Sequence, residues 1–173
     1  MGEWKLLLPW RGSTVVEWSV RHALDFCHRV FLVTGHRGQE LRALFAACPA
    51  VEPVENRDYR LGMFSSIQAG VSRVESGRFF IALGDMPLVG GGIYRRLADA
   101  AVVYDAVRPT FAGRKGHPVL LHRALVPRIK AADPSFSMSH VLQGARVLEL
   151  PTEDEGVVYD IDTLSDYDRR SLP

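Results

Sequence analysis

The sequence predicts a single α/β domain, built on a mostly parallel sheet with helices on both faces. Three observations predict it. Short apolar or β-branched runs alternate with helix-period segments along the whole chain. The length of 173 residues suits one domain with one full core. No internal repeat, low-complexity tract or linker divides residues 1–173.

Lys5 to Trp10 reads as a short extended piece, ended by Pro9 and the turn residues Arg11-Gly12. Thr14 and Glu17 match a capping box. Val16, Val20, Ala23 and Leu24 then recur on one helical face. Arg29 to Thr34 is β-branched and apolar, hence a strand closed by Gly35. Gln39 to Ala47 reads as a helix with Leu41, Leu44 and Phe45 inward. Ala50 to Val54 reads as a short strand, which Pro53 either weakens or ends.

A polar loop from Asn56 opens into a helix at about Met63, with Ile67 and Val71 four apart. Phe79 to Leu83 is an apolar run that stops abruptly at Gly84-Asp85-Met86-Pro87. Gly90-Gly91-Gly92 starts another helix, running to Asp99. Ala101 to Val107 reads as a strand and Pro109 to Gly116 as a loop. His117 to Leu121 is predicted as a strand, His122 to Lys130 as a helix, and Ser137 to Leu142 as a short helix. Arg146 to Leu150 and Val157 to Asp160 are predicted as strands, and Ser165 to Ser171 as a final helix.

Composition excludes several classes. A hydrophobic fraction of 47% and a charged fraction of 24% are ordinary for a soluble globular protein. The net charge of +1 and the lack of a basic run argue against nucleic acid as a partner. No apolar stretch approaches a membrane span. The apolar segment Leu6-Leu7-Leu8 is too short for a signal peptide. Cys27 and Cys48 are too few for a disulfide scaffold and read as thiols in a reducing cytoplasm. The histidines show no metal-ligand spacing: His117 and His122 are wrongly placed for one helical face.

Five places can carry chemistry. Asp85 ends an apolar strand, and in an open α/β sheet ligands bind at the carboxyl ends of strands. A carboxylate there suits Mg²⁺, a hard cation held by one or two carboxylates plus phosphates. It reads equally as a turn former before Pro87. Asp160-Ile161-Asp162-Thr163 offers a second carboxylate, or simply a helix N-cap. Gly62 followed by Ser65-Ser66 at a helix start can turn N–H groups and hydroxyls toward an anion or a base edge, or merely cap the helix. Lys5 can neutralise phosphate charge, or stand solvated. Arg114 and His117, at a loop–strand junction, can touch a substrate.

These segments occur together in a known order. Lys5-Leu6-Leu7-Leu8-Pro9-Trp10-Arg11-Gly12-Ser13-Thr14-Val15 is followed by Gly62-Met63-Phe64-Ser65-Ser66 and by Leu83-Gly84-Asp85-Met86-Pro87-Leu88-Val89. Gly116-His117-Pro118-Val119-Leu120 and Asp160-Ile161-Asp162-Thr163 complete the set. The chain thereby resembles the MobA-like nucleotidyltransferases over nearly its whole length, and within them the cytidylyltransferase branch. The resemblance implies a three-layer α/β/α Rossmann-like fold. It implies transfer of a nucleoside monophosphate from CTP, with Mg²⁺, to the terminal phosphate of the molybdopterin cofactor, releasing pyrophosphate. It implies that Asp85 and Asp162 hold the metal, with Asp160 as substitute, and that Lys5 contacts the phosphates. Gly62, Ser65 and Ser66 would lie near base and ribose, and Arg114 and His117 near the acceptor.

Two departures accompany the resemblance. Phe64 stands where the family has Ser. Family members also begin with an apolar strand and a glycine-rich loop, of which only Met1-Gly2 matches. The unmatched piece amounts to about 15 residues. Without it the sheet is expected to show unpaired strand edges, or to draw Glu3 to Trp10 into the gap. The same departure supports an alternative: a module that binds nucleotide or cofactor for a molybdoenzyme partner. A glycosyltransferase would require an Asp-x-Asp where Asp85-Met86-Pro87 stands, and no P-loop pattern occurs.

Overall fold

The computed structural model describes residues 4–162 and 166–167. Most of the helix predicted at residues 165–171, together with Met1, Gly2 and Thr163, lies outside them.

Lys5–Leu7 is one 3-10 turn, not the extended piece predicted. Leu8 and Trp10 are buried, and the chain must reverse at once to keep both inward. It does so in a small antiparallel ladder of β1 (Pro9–Trp10) with β2 (Ser13–Thr14). Arg11 and Gly12 turn it with φ of 45° and 79°. Helix α1 (Val15–Leu24) opens on the predicted capping box: Thr14 N donates to Glu17 Oε2 at 2.9 Å, and Glu17 N donates to Thr14 Oγ1 at 3.4 Å.

Strand β3 (Val30–Thr34), helix α2 (Gly38–Leu44) and strand β4 (Val51–Glu55) form a parallel βαβ unit. Val30 N bonds Ala50 O and Asn56 N bonds Thr34 O, so alternate residues of β4 face β3. Pro53, one position out of that phase, turns its donorless nitrogen to the free edge, where no ladder bond is lost. Helix α3 (Met63–Val71) follows.

The second sheet contains β5 (Arg78–Ile81), β6 (Ala106–Phe111), β7 (Arg114–Lys115), β8 (Val119–His122) and β9 (Val147–Pro151). Strand β8 sits between β5 and β6 and runs antiparallel to both. β7 pairs antiparallel with β6, and β9 parallel with β6. The prediction of a mostly parallel sheet therefore fails. The cause is local: β7 and β8 both follow β6 through one hairpin reversal without a helical crossover, and only a crossover returns a strand in parallel. Ala112 and Gly113, at φ of 47° and 77°, make that reversal.

Two further predictions are corrected. Residues 101–103 turn before β6, leaving Val102 and Val103 at 82% and 57% exposure, so their β-branched pattern marks no strand. Glu155–Val158 is a 3-10 turn, not a strand, because the Asp154 carboxylate accepts from Gly156 N and closes it.

Helix α4 (Gly91–Ala100) covers one face of the second sheet through Ile93, Tyr94 and Leu97, in a core with Phe80, Val107 and Leu120. Helices α3, α5 (Val126–Ala131) and α6 (Met138–Val141) cover the other with Phe64, Val71, Ile129 and Val141, in a core with Phe79, Ala106 and Leu121. Adjacent strand residues thus enter opposite cores, which is the three-layer α/β/α arrangement. Each fully buried Leu or Ile contributes about 1.5–3 kcal/mol.

Helices α1 and α3 tie the two sheets together from opposite faces. Val16 and Val20 of α1 share a core with Val30 and Leu32 of β3, while Ala23 shares one with Phe80 of β5. On the other face α3 packs closely on β3 at Gly70, where an added Cβ would meet Val33 at 3.0 Å, and its Phe64 and Val71 pack with Phe79 and Ile81. Between them β3 and β5 have no ladder to each other among the described residues. Both strands are only half-buried there. Trp4, Leu6 and Leu7 pack beside Val30 and Leu32 without forming a strand, so the expected unpaired edges are present.

Candidate active site

Asp85 lies in the turn after β5, at the carboxyl end of that strand, as the sequence predicts. A backbone bond from Ile161 N to Asp85 O, 3.0 Å, joins this turn to the segment Asp160-Ile161-Asp162. Ile161 is fully buried against Leu8, Trp10 and Val15. Its neighbours on either side, Asp160 and Asp162, are therefore exposed, as alternation in an extended segment requires. One apolar anchor thus brings two carboxylates to the Asp85 turn.

Lys5 completes the cluster. Its Nζ lies 2.7 Å from Asp85 Oδ2 and 2.6 Å from Asp162 Oδ1. Partial desolvation works against the ammonium, but the hydrogen bonds and charges of Asp162 and Asp85 outweigh it and raise the lysine above its ordinary range. The Lys5 hydrogen bond and charge hold Asp162 below the usual carboxylate range. Partial burial, with the charges of Asp162 and Asp85, raises Asp160. Three of the residues singled out from sequence are therefore in direct contact.

The donor set fits a hard divalent cation. Two carboxylate oxygens converge on one point, and Mg²⁺ sites keep their remaining positions for phosphate and water. No group of three or more His, Cys, Asp or Glu forms a fuller cage among the described residues. Such a pair would suit a metal shared with a substrate rather than a closed structural site.

His117 borders the same edge. The Val157 backbone oxygen accepts from the His117 backbone N–H at 2.8 Å. Gly116 permits this approach, since a Cβ there would stand 2.3 Å from Val157 O. Burial holds the imidazole below the ordinary histidine range, against raising contributions from the Ile81 carbonyl, Asp85 and Asp160. Its Nδ1 is buried and has no hydrogen-bond partner among the described residues. Arg114, exposed on the β6–β7 hairpin, reaches Val158 O at 3.5 Å, beside the segment leading to Asp160.

Gly62, Ser65 and Ser66 form a different kind of unit. Gly62 N-caps α3 with φ 102° and ψ −176°, a conformation open essentially to glycine alone. Ser65 is buried, and its Oγ accepts from Asn56 Nδ2 at 2.9 Å and lies 2.8 Å from Gly62 O. The same Asn56 amide donates to half-buried Ser66 at 3.0 Å. Sequence reasoning missed Asn56. Its one signal was its place directly after β4, at a strand's carboxyl end.

Aromatic contacts link the two units. Trp4 meets His36 edge-on at 6.4 Å, and His36 lies 6.4 Å from Tyr59, just before Gly62. Arg37 stacks over Trp4 at 5.1 Å and Arg60 over Tyr59 at 5.7 Å. Gly35 lets Tyr59 pack closely on the end of β3, where a Cβ would stand 2.5 Å from the Tyr59 Cβ. The candidate residues thus form a strip along the carboxyl ends of β5, β3 and β4. A groove of about 650 Å³ lies elsewhere, around the outer edge of β4. Its Arg42 and Arg57 pair with Glu55, and its Arg73 with Glu52. That leaves it no convergent chemistry.

The thiols of Cys27 and Cys48 are free and half-buried, and burial raises Cys27 to about 11, which keeps it inert. No helix among the described residues is long and apolar enough to cross a membrane.

Comparison with known proteins places the chain in a family. Molybdenum cofactor cytidylyltransferase of Escherichia coli is 33% identical over 168 residues, covering 96% of this chain and 86% of that protein. The crystal structure of Rv0371c from Mycobacterium tuberculosis superposes with a TM-score of 0.84 at 24% identity, over 98% of this chain and 89% of the other. Its complex with manganese gives 0.82 at 24% identity, over 96% and 90%. The sequence pattern of the MobA-like NTP transferase domain matches residues 1–151. The chain belongs to that family and is a nucleotidyltransferase family enzyme acting on nucleotide substrates.

Proposed function

We propose that the protein transfers cytidylyl groups from CTP to the terminal phosphate of the molybdopterin cofactor, with a divalent ion held by Asp85 and Asp162. The observation that carries this reading is the meeting of Lys5, Asp85 and Asp162 at one point on the carboxyl edge of the sheet. The cytidylyltransferase from Escherichia coli, at 33% identity, supports the choice of donor and acceptor. The manganese complex of the Mycobacterium tuberculosis protein supports a divalent metal.

The divalent ion, when bound, would neutralise phosphate charge and orient the triphosphate. Lys5 adds a positive charge beside the same phosphates and stabilises the charge that develops on the leaving pyrophosphate. Gly62 turns the N-terminus of α3 toward the nucleotide, and Ser66, held by Asn56, borders the base and ribose. Ser65 fixes that turn from below. Arg114 and His117 receive the acceptor. An acceptor phosphate oxygen forms a bond to the α-phosphorus as the bond from that phosphorus to the pyrophosphate oxygen breaks. Positioning and charge stabilisation suffice, with no covalent enzyme intermediate.

The test is pyrophosphate release with Mg²⁺ and molybdopterin cofactor, comparing CTP, GTP and ATP. CTP is expected to be the preferred donor. Preference for GTP or ATP would reassign the donor, and no release from any of them would end the reading.

A further inference from the structure

We propose that Lys5 is the built-in counter-ion of the Asp85–Asp162 pair, and that a divalent ion takes its place and expels the ammonium toward the anionic substrate. This rests on the reading of Asp85 and Asp162 as metal ligands. Lys5 Nζ stands at hydrogen-bond distance from one oxygen of each carboxylate, 2.7 and 2.6 Å. The oxygens that would bind a metal are therefore the ones the ammonium now holds. An ammonium and a divalent ion cannot share that point, because two cations about 3 Å apart repel strongly outside bulk water.

The local structure permits the exchange. Lys5 lies in a single 3-10 turn, so only its side chain need move. That side chain is 29% exposed, and a four-carbon stem reaches several positions from one backbone site. The surrounding charges give the ammonium a reason to stay until a metal arrives. Asp85, Asp160 and Asp162 crowd one edge, and Lys5 is the cation paired with two of them. With metal bound, Lys5 loses its carboxylate partners and becomes available to phosphate. Metal loading and substrate capture are then one event.

The test follows the Lys5 Nζ resonance in nitrogen-15-labelled protein, assigned by its loss in Lys5→Met. Exposed Lys130 serves as the reference for a solvated lysine. Added Mg²⁺ is expected to move the Lys5 signal saturably toward that of Lys130, and Asp85→Asn to abolish the movement. Mn²⁺ binding, read by electron paramagnetic resonance without nucleotide, is expected to tighten at least about threefold in Lys5→Met, since two partly exposed ion pairs no longer compete. Mn²⁺ binding with an unmoved Lys5 signal would overturn the exchange and leave the metal site standing. No Mn²⁺ binding to either protein would overturn both.

Discussion

Lys5 and Asp162 stand 157 positions apart in sequence, yet Lys5 Nζ donates to Asp162 Oδ1 at 2.6 Å. The contact depends on Ile161, whose burial against Leu8 and Trp10 fixes the segment that carries Asp160 and Asp162.

Ile161→Ala is expected to cost about 2–5 kcal/mol, as a large-to-small change at a fully buried site. It should also lower activity at temperatures where the protein remains folded, because the second carboxylate loses its anchor. Denaturant unfolding and turnover of the same preparation check both.

Asn56→Ala is expected to destabilise by about 1–3 kcal/mol. The amide is buried, and its removal leaves the Ser65 and Ser66 hydroxyls without their shared donor. The urea midpoint should fall with an unchanged slope.

Gly62→Ala has open space for its methyl group, so packing predicts no cost. Its φ of 102° predicts otherwise: about 1–3 kcal/mol of backbone strain at the start of α3. A melting temperature equal to that of the native protein would show that the turn relaxes freely.

His117 gives a pH dependence with a definite sign. Its folded pKa is depressed by burial, so the fold favours the neutral ring. That stability is complete above about pH 6.5 and is lost as pH falls toward the folded value, at up to about 1.4 kcal/mol per pH unit. The difference in melting temperature between pH about 7.5 and about 5 should be smaller in His117→Asn than in the native protein.

Local signals in the sequence were read well. The Thr14–Glu17 capping box, the helix at Met63 and the strand at Val30–Thr34 depend on residues a few positions apart, and all are present. Strand direction was not legible, because alternation of apolar residues is the same in β8 whichever way its neighbours run. Val102 and Val103 carried a strand-like pattern that a turn overrode. In sequence Asp85 is equally a turn former, Asp162 a helix N-cap and Lys5 a solvated lysine, so only the family resemblance links the three before the fold brings them together. Trp4, His36 and Tyr59 went unnoticed, because their association exists only across strand ends brought together in space.

The most direct measurement compares Mg²⁺-dependent pyrophosphate release from CTP and molybdopterin cofactor in the native protein and in Asp85→Ala, with folding followed in both. Asp85 is half-buried and its ion pair contributes about 0–1 kcal/mol, so the variant should remain folded. Its transfer activity should fall at least about a hundredfold. Undiminished Mg²⁺-dependent transfer by Asp85→Ala would contradict the account.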